Sequence, residues 1–158
     1  MIIGIDPGQT GAVAILINGV CVNVFDTPTE QVKKGKGSKT EYLPSEMAEI
    51  LRIHNKPGVH CFIEKVGAMP GQGVTSMFNF GKGFGLWLGI LAALQIPYTL
   101  VTPQAWKKML MQGIGDKDAA RGRAQQLHPE VTDWLKRKKD IGRADALLIA
   151  EYGRRATK

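Results

Sequence analysis

The sequence is short of cysteine, of long apolar runs and of acidic residues. Only Cys21 and Cys61 occur in 158 residues, each inside a β-like apolar stretch, and the three histidines are scattered. That excludes a disulfide framework and argues against a zinc cluster. The two thiols read as small buried hydrophobes of a reducing compartment. No apolar run approaches the ~20 residues of a membrane-spanning helix, so no membrane role is expected. The N-terminus lacks a basic stretch followed by an apolar one, so a cytoplasmic protein is expected. Gly81-Lys82-Gly83 lacks the Walker spacing and its Ser or Thr, so no nucleotide cofactor is expected.

Acids number 14 against 21 Lys and Arg, a net charge of +7. A surplus of this size favours a polyanionic partner, nucleic acid first, with plain solubility as the bland alternative. The hydrophobic share of 44% and the charged share of 22% are those of a globular chain. At this length one domain, spanning 1–158, is expected, and its core needs no cross-link.

The chain opens with an expected antiparallel meander. Ile2 to Asp6 is a short buried strand, a second covers 11–18, Asn18-Gly19 is a hairpin turn, and Val20 to Phe25 alternates as a third. Residues 27–41 hold Lys33, Lys34, Lys36 and Lys39 among glycines and polar residues. They read as a mobile loop, either a solvated linker or an electrostatic arm. Helical spacing from Pro44 to His54 is followed by a fourth strand, Val59 to Glu64, and a glycine-rich loop, Gly67 to Gly73. A long apolar helix is expected over 76–95, with Gly81, Gly85 and Gly89 on one face. Helical glycines each cost about 1 kcal/mol, so the stripe needs a reason, either close packing on the sheet or close approach of a partner.

Tyr98 to Val101 is a fifth strand, and Thr102-Pro103 starts a helix carrying Trp106, Lys107 and Lys108. Asp116 is placed to cap a helix from Lys117 to about Leu127. Val131 to Asp140 reads as irregular and includes the basic run Lys136-Arg137-Lys138-Lys139; a last helix covers about 143–155. The class is therefore α/β: a five-stranded mixed sheet, an antiparallel meander plus parallel strands, with helices on both faces. The fourth strand can return parallel to the first through a right-handed crossover.

Those two parallel strands both end in carboxylates, Asp6 and Glu64. Strand neighbours lie about 4.8 Å apart, and ligand sites in open α/β sheets favour the strands' carboxyl ends. Asp145, in the first turn of the last helix, is a third acid, although a capping role would also suit it. Asp140, five residues earlier, is a fourth. Converging carboxylates select Mg²⁺ or Mn²⁺, and two such ions can drive phosphodiester hydrolysis. A basic chain with these acids reads as a metal-dependent nuclease.

Three segments resemble the RuvC family of Holliday junction resolvases, in the RNase H-like superfamily: 1–8 (MIIGIDPG), 62–66 (FIEKV) and 142–150 (GRADALLIA). The Gly-Arg-Ala-Asp-Ala run at 142–146 resembles the phage-encoded branch. The resemblance implies a homodimer that nicks four-way DNA junctions symmetrically with Mg²⁺ held by four acids. Asp6, Glu64 and Asp145 carry over. The family's fourth acid falls on Gly142, and Asp140 is the substitute. Lys117 matches a basic residue near the family's active site, and Met69 stands as the apolar wedge at the junction centre. Lys82, Lys107, Lys108, Lys136 and Arg137 join the four lysines of 27–41 as expected DNA contacts. The glycine-striped helix is the expected dimer interface. Two other readings of the residues are an RNase H acting on RNA–DNA hybrids and a non-catalytic junction-binding module. The first motif is also similar to the phosphate loop of the actin and sugar-kinase ATPases, but those proteins need a second such domain.

Overall fold

A computed structural model describes residues 1–113 and 118–157. Its main sheet has the order β3-β2-β1-β6-β7, built from β1 (Ile2–Asp6), β2 (Ala12–Ile17), β3 (Val20–Asp26), β6 (His60–Glu64) and β7 (Tyr98–Val101). β1 pairs antiparallel with β2 and β2 with β3, whereas β1/β6 and β6/β7 are parallel. The expected mixed sheet is therefore present. Asn18 and Gly19 both take positive φ, 52° and 85°, as a two-residue hairpin turn requires.

The sheet separates two cores because strand side chains alternate. Ile3, Ile5, Val13, Ile15, Cys61 and Ile63 face α1 (Pro44–His54) and α2 (Val74–Ala93), with Trp87 and Leu91 sealing that layer. Ala12, Ala14, Leu16 and Phe62 face α3 (Pro103–Leu110), α4 (Ala119–Leu127) and α5 (Ile141–Ala156). Helix α5 lies so close to β1 that a Cβ on Gly4 would collide with the Ala146 carbonyl and the Ala150 amide. That contact decides where the acid on α5 ends up.

Two segments differ from expectation. Residues 27–41 are not a loop: β4 (Thr29–Lys34) and β5 (Gly37–Tyr42) form a separate antiparallel ribbon, turning at Gly35 with φ 60°. The ribbon lacked an apolar alternation because both its faces meet solvent along most of its length. Its root is what holds it: Gln9 Nε2 donates to the Thr40 carbonyl at 2.9 Å, and the buried Tyr42 hydroxyl donates to the Asn79 carbonyl at 3.0 Å. The stretch before α5 is also regular, with 3-10 helices at Pro129–Leu135 and Lys138–Asp140. Among the described residues no helix is long and apolar enough to cross a membrane.

Candidate active site

Parallel pairing of β1 with β6 aligns Ile5 with Ile63, so the next residues, Asp6 and Glu64, end their strands side by side. Alternation turns both toward the face that α5 covers. Asp145 enters as the fifth residue of α5, past the first turn where the sequence had placed it, and just ahead of the Ala146 contact with Gly4. The three acids are half-buried and feel one another's charge. Burial first, then Asp145 and Glu64, pushes the Asp6 carboxyl up to about 7. Burial first, then Glu64, pushes Asp145 up to about 7 as well. Lys107 pulls against both shifts, which places its ammonium within electrostatic reach of the cluster.

Helix α3 supplies a contact that the sequence did not announce. Trp106 is 1% exposed, and its indole N–H donates to Glu64 Oε1 at 2.8 Å. The Lys107 ammonium sits 5.2 Å from the same ring. The start of α3 is set by Thr102, whose side chain accepts from the Ala105 amide, and by Pro103 in the first turn. The Trp-Lys pair after Thr-Pro was legible only as a buried ring beside a surface cation.

The donor set is all carboxylate oxygen and partly desolvated, which suits a hard divalent cation. Among the described residues, no three acid, His or Cys side chains already stand as a closed cage for an ion. The Trp106 bond holds Glu64 Oε1 toward α3.

Asp140 does not join these acids. It is 2% exposed and is gripped by Arg137, whose backbone N–H donates to Oδ2 at 2.8 Å and whose guanidinium donates to Oδ1 at 2.8 and 3.0 Å. Burial acts to raise its carboxyl, but Arg137 outweighs this and holds it below the usual range. Its further neighbour is Arg143, which makes a two-pronged pair with Asp26 at 2.6 and 2.7 Å. The expected substitute acid thus belongs to a salt-bridge network that pins the start of α5. Gly142 has its own reason: a Cβ there would overlap the Thr10 carbonyl oxygen. The β1–β2 turn fills the space from which a side chain at position 142 would start.

The remaining expected contacts lie on several separate elements. Lys33, Lys34 and Lys36 are exposed on the ribbon. Lys39 and Lys82 are both paired with Glu41, Lys82 at 2.9 Å. Lys136 pairs with Asp133 at 2.6 Å, Lys107 and Lys108 are exposed on α3, and Met69 is 68% exposed on the loop after Glu64. Lys117 and the expected Asp116 cap lie outside the described residues. The glycine stripe on α2 does not pack on the sheet: a Cβ at Gly81, Gly85 or Gly89 would meet nothing within 4 Å. The packing glycine is Gly83, whose Cβ would run into the Tyr42 ring and the Pro7 carbonyl.

This arrangement has the fold of RuvC. No family model matches the chain. RuvC of T. thermophilus, solved with a Holliday junction substrate, superposes with a TM-score of 0.61 at 14% identity, over 99% of this chain and 96% of that one. A second Thermus thermophilus RuvC structure gives 0.58 at the same identity and coverage. In sequence, the chain is similar to the chloroplastic Holliday junction resolvase MOC1 of Chlamydomonas reinhardtii, 34% identical over 92 residues. That match covers 58% of this chain, and the chain spans 10% of that relative's length.

Proposed function

We propose that this protein is a divalent-metal-dependent endonuclease that resolves four-way DNA junctions by paired, symmetric nicks. The observation that carries this is the convergence of Asp6, Glu64 and Asp145 at the carboxyl ends of two parallel strands, in the fold of RuvC. The likeness to MOC1, named as a Holliday junction resolvase, points to the same substrate. Asp6, Glu64 and Asp145 would hold Mg²⁺ or Mn²⁺, two ions in the full site, which supply an activated water and stabilise the leaving oxygen. The chain's own residues do the rest. Burial of the acids keeps competing water out, and Trp106 orients Glu64. Lys107 lends positive charge beside the phosphate that is cut. The ribbon lysines Lys33, Lys34 and Lys36 grip a duplex arm, and Met69 meets an unstacked base step at the crossover. Lys39 and Lys82 join them once Glu41 yields to phosphate.

Symmetric cutting needs two sites related by a two-fold axis, so the proposal includes a homodimer. Helix α2 supports it. Val74, Phe78, Gly81, Gly85 and Gly89 follow one another at helical spacing on an outward face, with Val74 87% and Phe78 71% exposed. Tyr98 and Leu100, on edge strand β7, extend that apolar surface. The expected place of action is the cytoplasm of a bacterial host, and origin in a phage is part of the same proposal.

The test is a labelled immobile junction, with binding scored in EDTA and nicking scored in Mg²⁺, for wild type and Asp6→Asn. Paired nicks that vanish in the variant while binding persists are the expected result. Junction binding without nicking by wild type would indicate an architectural module instead. Cleavage confined to an RNA–DNA hybrid would move the protein to the ribonucleases.

A further inference from the structure

We propose that Trp106 sets which divalent cation the acid cluster accepts, by engaging one lone pair of Glu64 Oε1 and fixing the carboxylate's orientation, so that a grip through both oxygens is disfavoured. This rests on the reading of Asp6, Glu64 and Asp145 as the ion-holding set. Trp106 is a positioning residue, acting through Glu64.

An indole N–H can only donate, and at 1% exposure water does not compete for it. Its bond to Glu64 Oε1, at 2.8 Å, is charge-assisted and stronger than a neutral one. The ring has no freedom to follow a moving carboxylate. It is packed among Leu110, Phe62, Val101 and Ala124 in the α5-side core, on a helix whose first turn is capped by Thr102. The other fully buried indole differs: Trp87, 0% exposed, has no hydrogen-bond partner at Nε1 among the described residues. The carboxylate contact is therefore a particular feature of Trp106, and Phe at this position would keep much of the bulk without the N–H.

The two abundant hard cations differ in what they ask of a carboxylate. Ca²⁺ takes six to eight oxygens and accepts both oxygens of one carboxylate. Mg²⁺ demands a near-ideal octahedron, keeps several waters, and is bound through one or two carboxylates. A Glu64 with Oε1 engaged suits the second pattern and resists the first.

The experiment titrates the chelator-stripped full chain with Mg²⁺ and, separately, Ca²⁺ by calorimetry without DNA. Wild type, Trp106→Phe and Asp6→Asn are compared. The expected result is a shift of about tenfold in the affinity ratio toward Ca²⁺ in Trp106→Phe, the scale on which partners of metal ligands act. A ratio equal to wild type overturns the inference. If neither wild type nor Asp6→Asn takes up either cation, the reading of the acid cluster falls, and this inference with it. A second measurement needs no Trp106 variant. In wild type labelled with ¹⁵N at indole nitrogens, the Trp106 proton should resonate apart from that of Trp87. It should move on addition of Mg²⁺ and lose its displacement in Glu64→Gln. A Trp106 resonance indifferent to both changes overturns the inference.

Discussion

Helix α5 carries two acids six positions apart that solve the problem of burial in opposite ways. Glu151, 2% exposed, receives Arg154 at 2.6 and 2.7 Å and Arg155 at 2.7 Å, with the His128 ring 3.5 Å away. Burial alone would raise its carboxyl, but the two guanidinium groups hold it down at about 2. Among the described residues, Asp145 has no such partner. Burial and Glu64 push it up to about 7, with Lys107 opposing. One acid is satisfied by the chain itself and serves stability. The other, among the described residues, is met by no ion pair, and a partly buried acid with a raised pKa of this kind is a candidate functional group.

The sharpest way to break this contrast is Asp145→Asn. Junction cleavage should fall by about a thousandfold, the scale of losing an essential charge-stabilising group. In metal-free protein the same change should not lower Tm, and at pH 8 should raise it by about 2–4 °C. The sign follows from linkage. A carboxyl whose folded value is raised contributes stability below its unfolded value, 3.8, and loses it as pH rises through about 7. Thermal melts in EDTA between pH 4 and 8 test this, and a lower Tm for the variant at pH 8 would count against it.

Glu151→Gln should do the reverse. Cleavage at moderate temperature should stay near wild type, while stability at pH 7 falls by about 2 kcal/mol, the worth of hydrogen bonds to a charged group. Because the folded value is depressed, that difference should be complete above pH 4.5. It should close as pH falls toward about 2, read from denaturant midpoints across pH. Gly142→Asp, which installs an acid three residues before Asp145, should lower stability by about 1–3 kcal/mol and leave cleavage no faster, because the Thr10 carbonyl occupies the space. The smallest effect belongs to the ribbon. Lys34→Ala should weaken junction binding evenly across sequences and reduce the slope of log K against log salt by about 1, measured by titration at several salt concentrations.

Much of this was legible along the chain. Strands ending in Asp6 and Glu64, the Asn18-Gly19 turn, the capped start of α3 and the apolar face of α5 are local patterns, and each stands where its residues imply. The ribbon was not legible, because strand periodicity appears in sequence only when one face is buried. Its order depends on Gln9 and Asn79, which are remote in the chain.

What the sequence determined by itself, then, is the candidate set: three acids, two at strand ends and one on the last helix, on a chain rich in positive charge. The tertiary structure decided which polar groups are spoken for. It gave Asp140 to Arg137, closed position 142 with the Thr10 carbonyl, turned the α2 glycines outward and set the Trp106 indole on Glu64. The physical reason is range. Periodicity and capping act within a few residues, whereas a hydrogen bond or a steric overlap is settled within about 3 Å, between segments that only packing brings together.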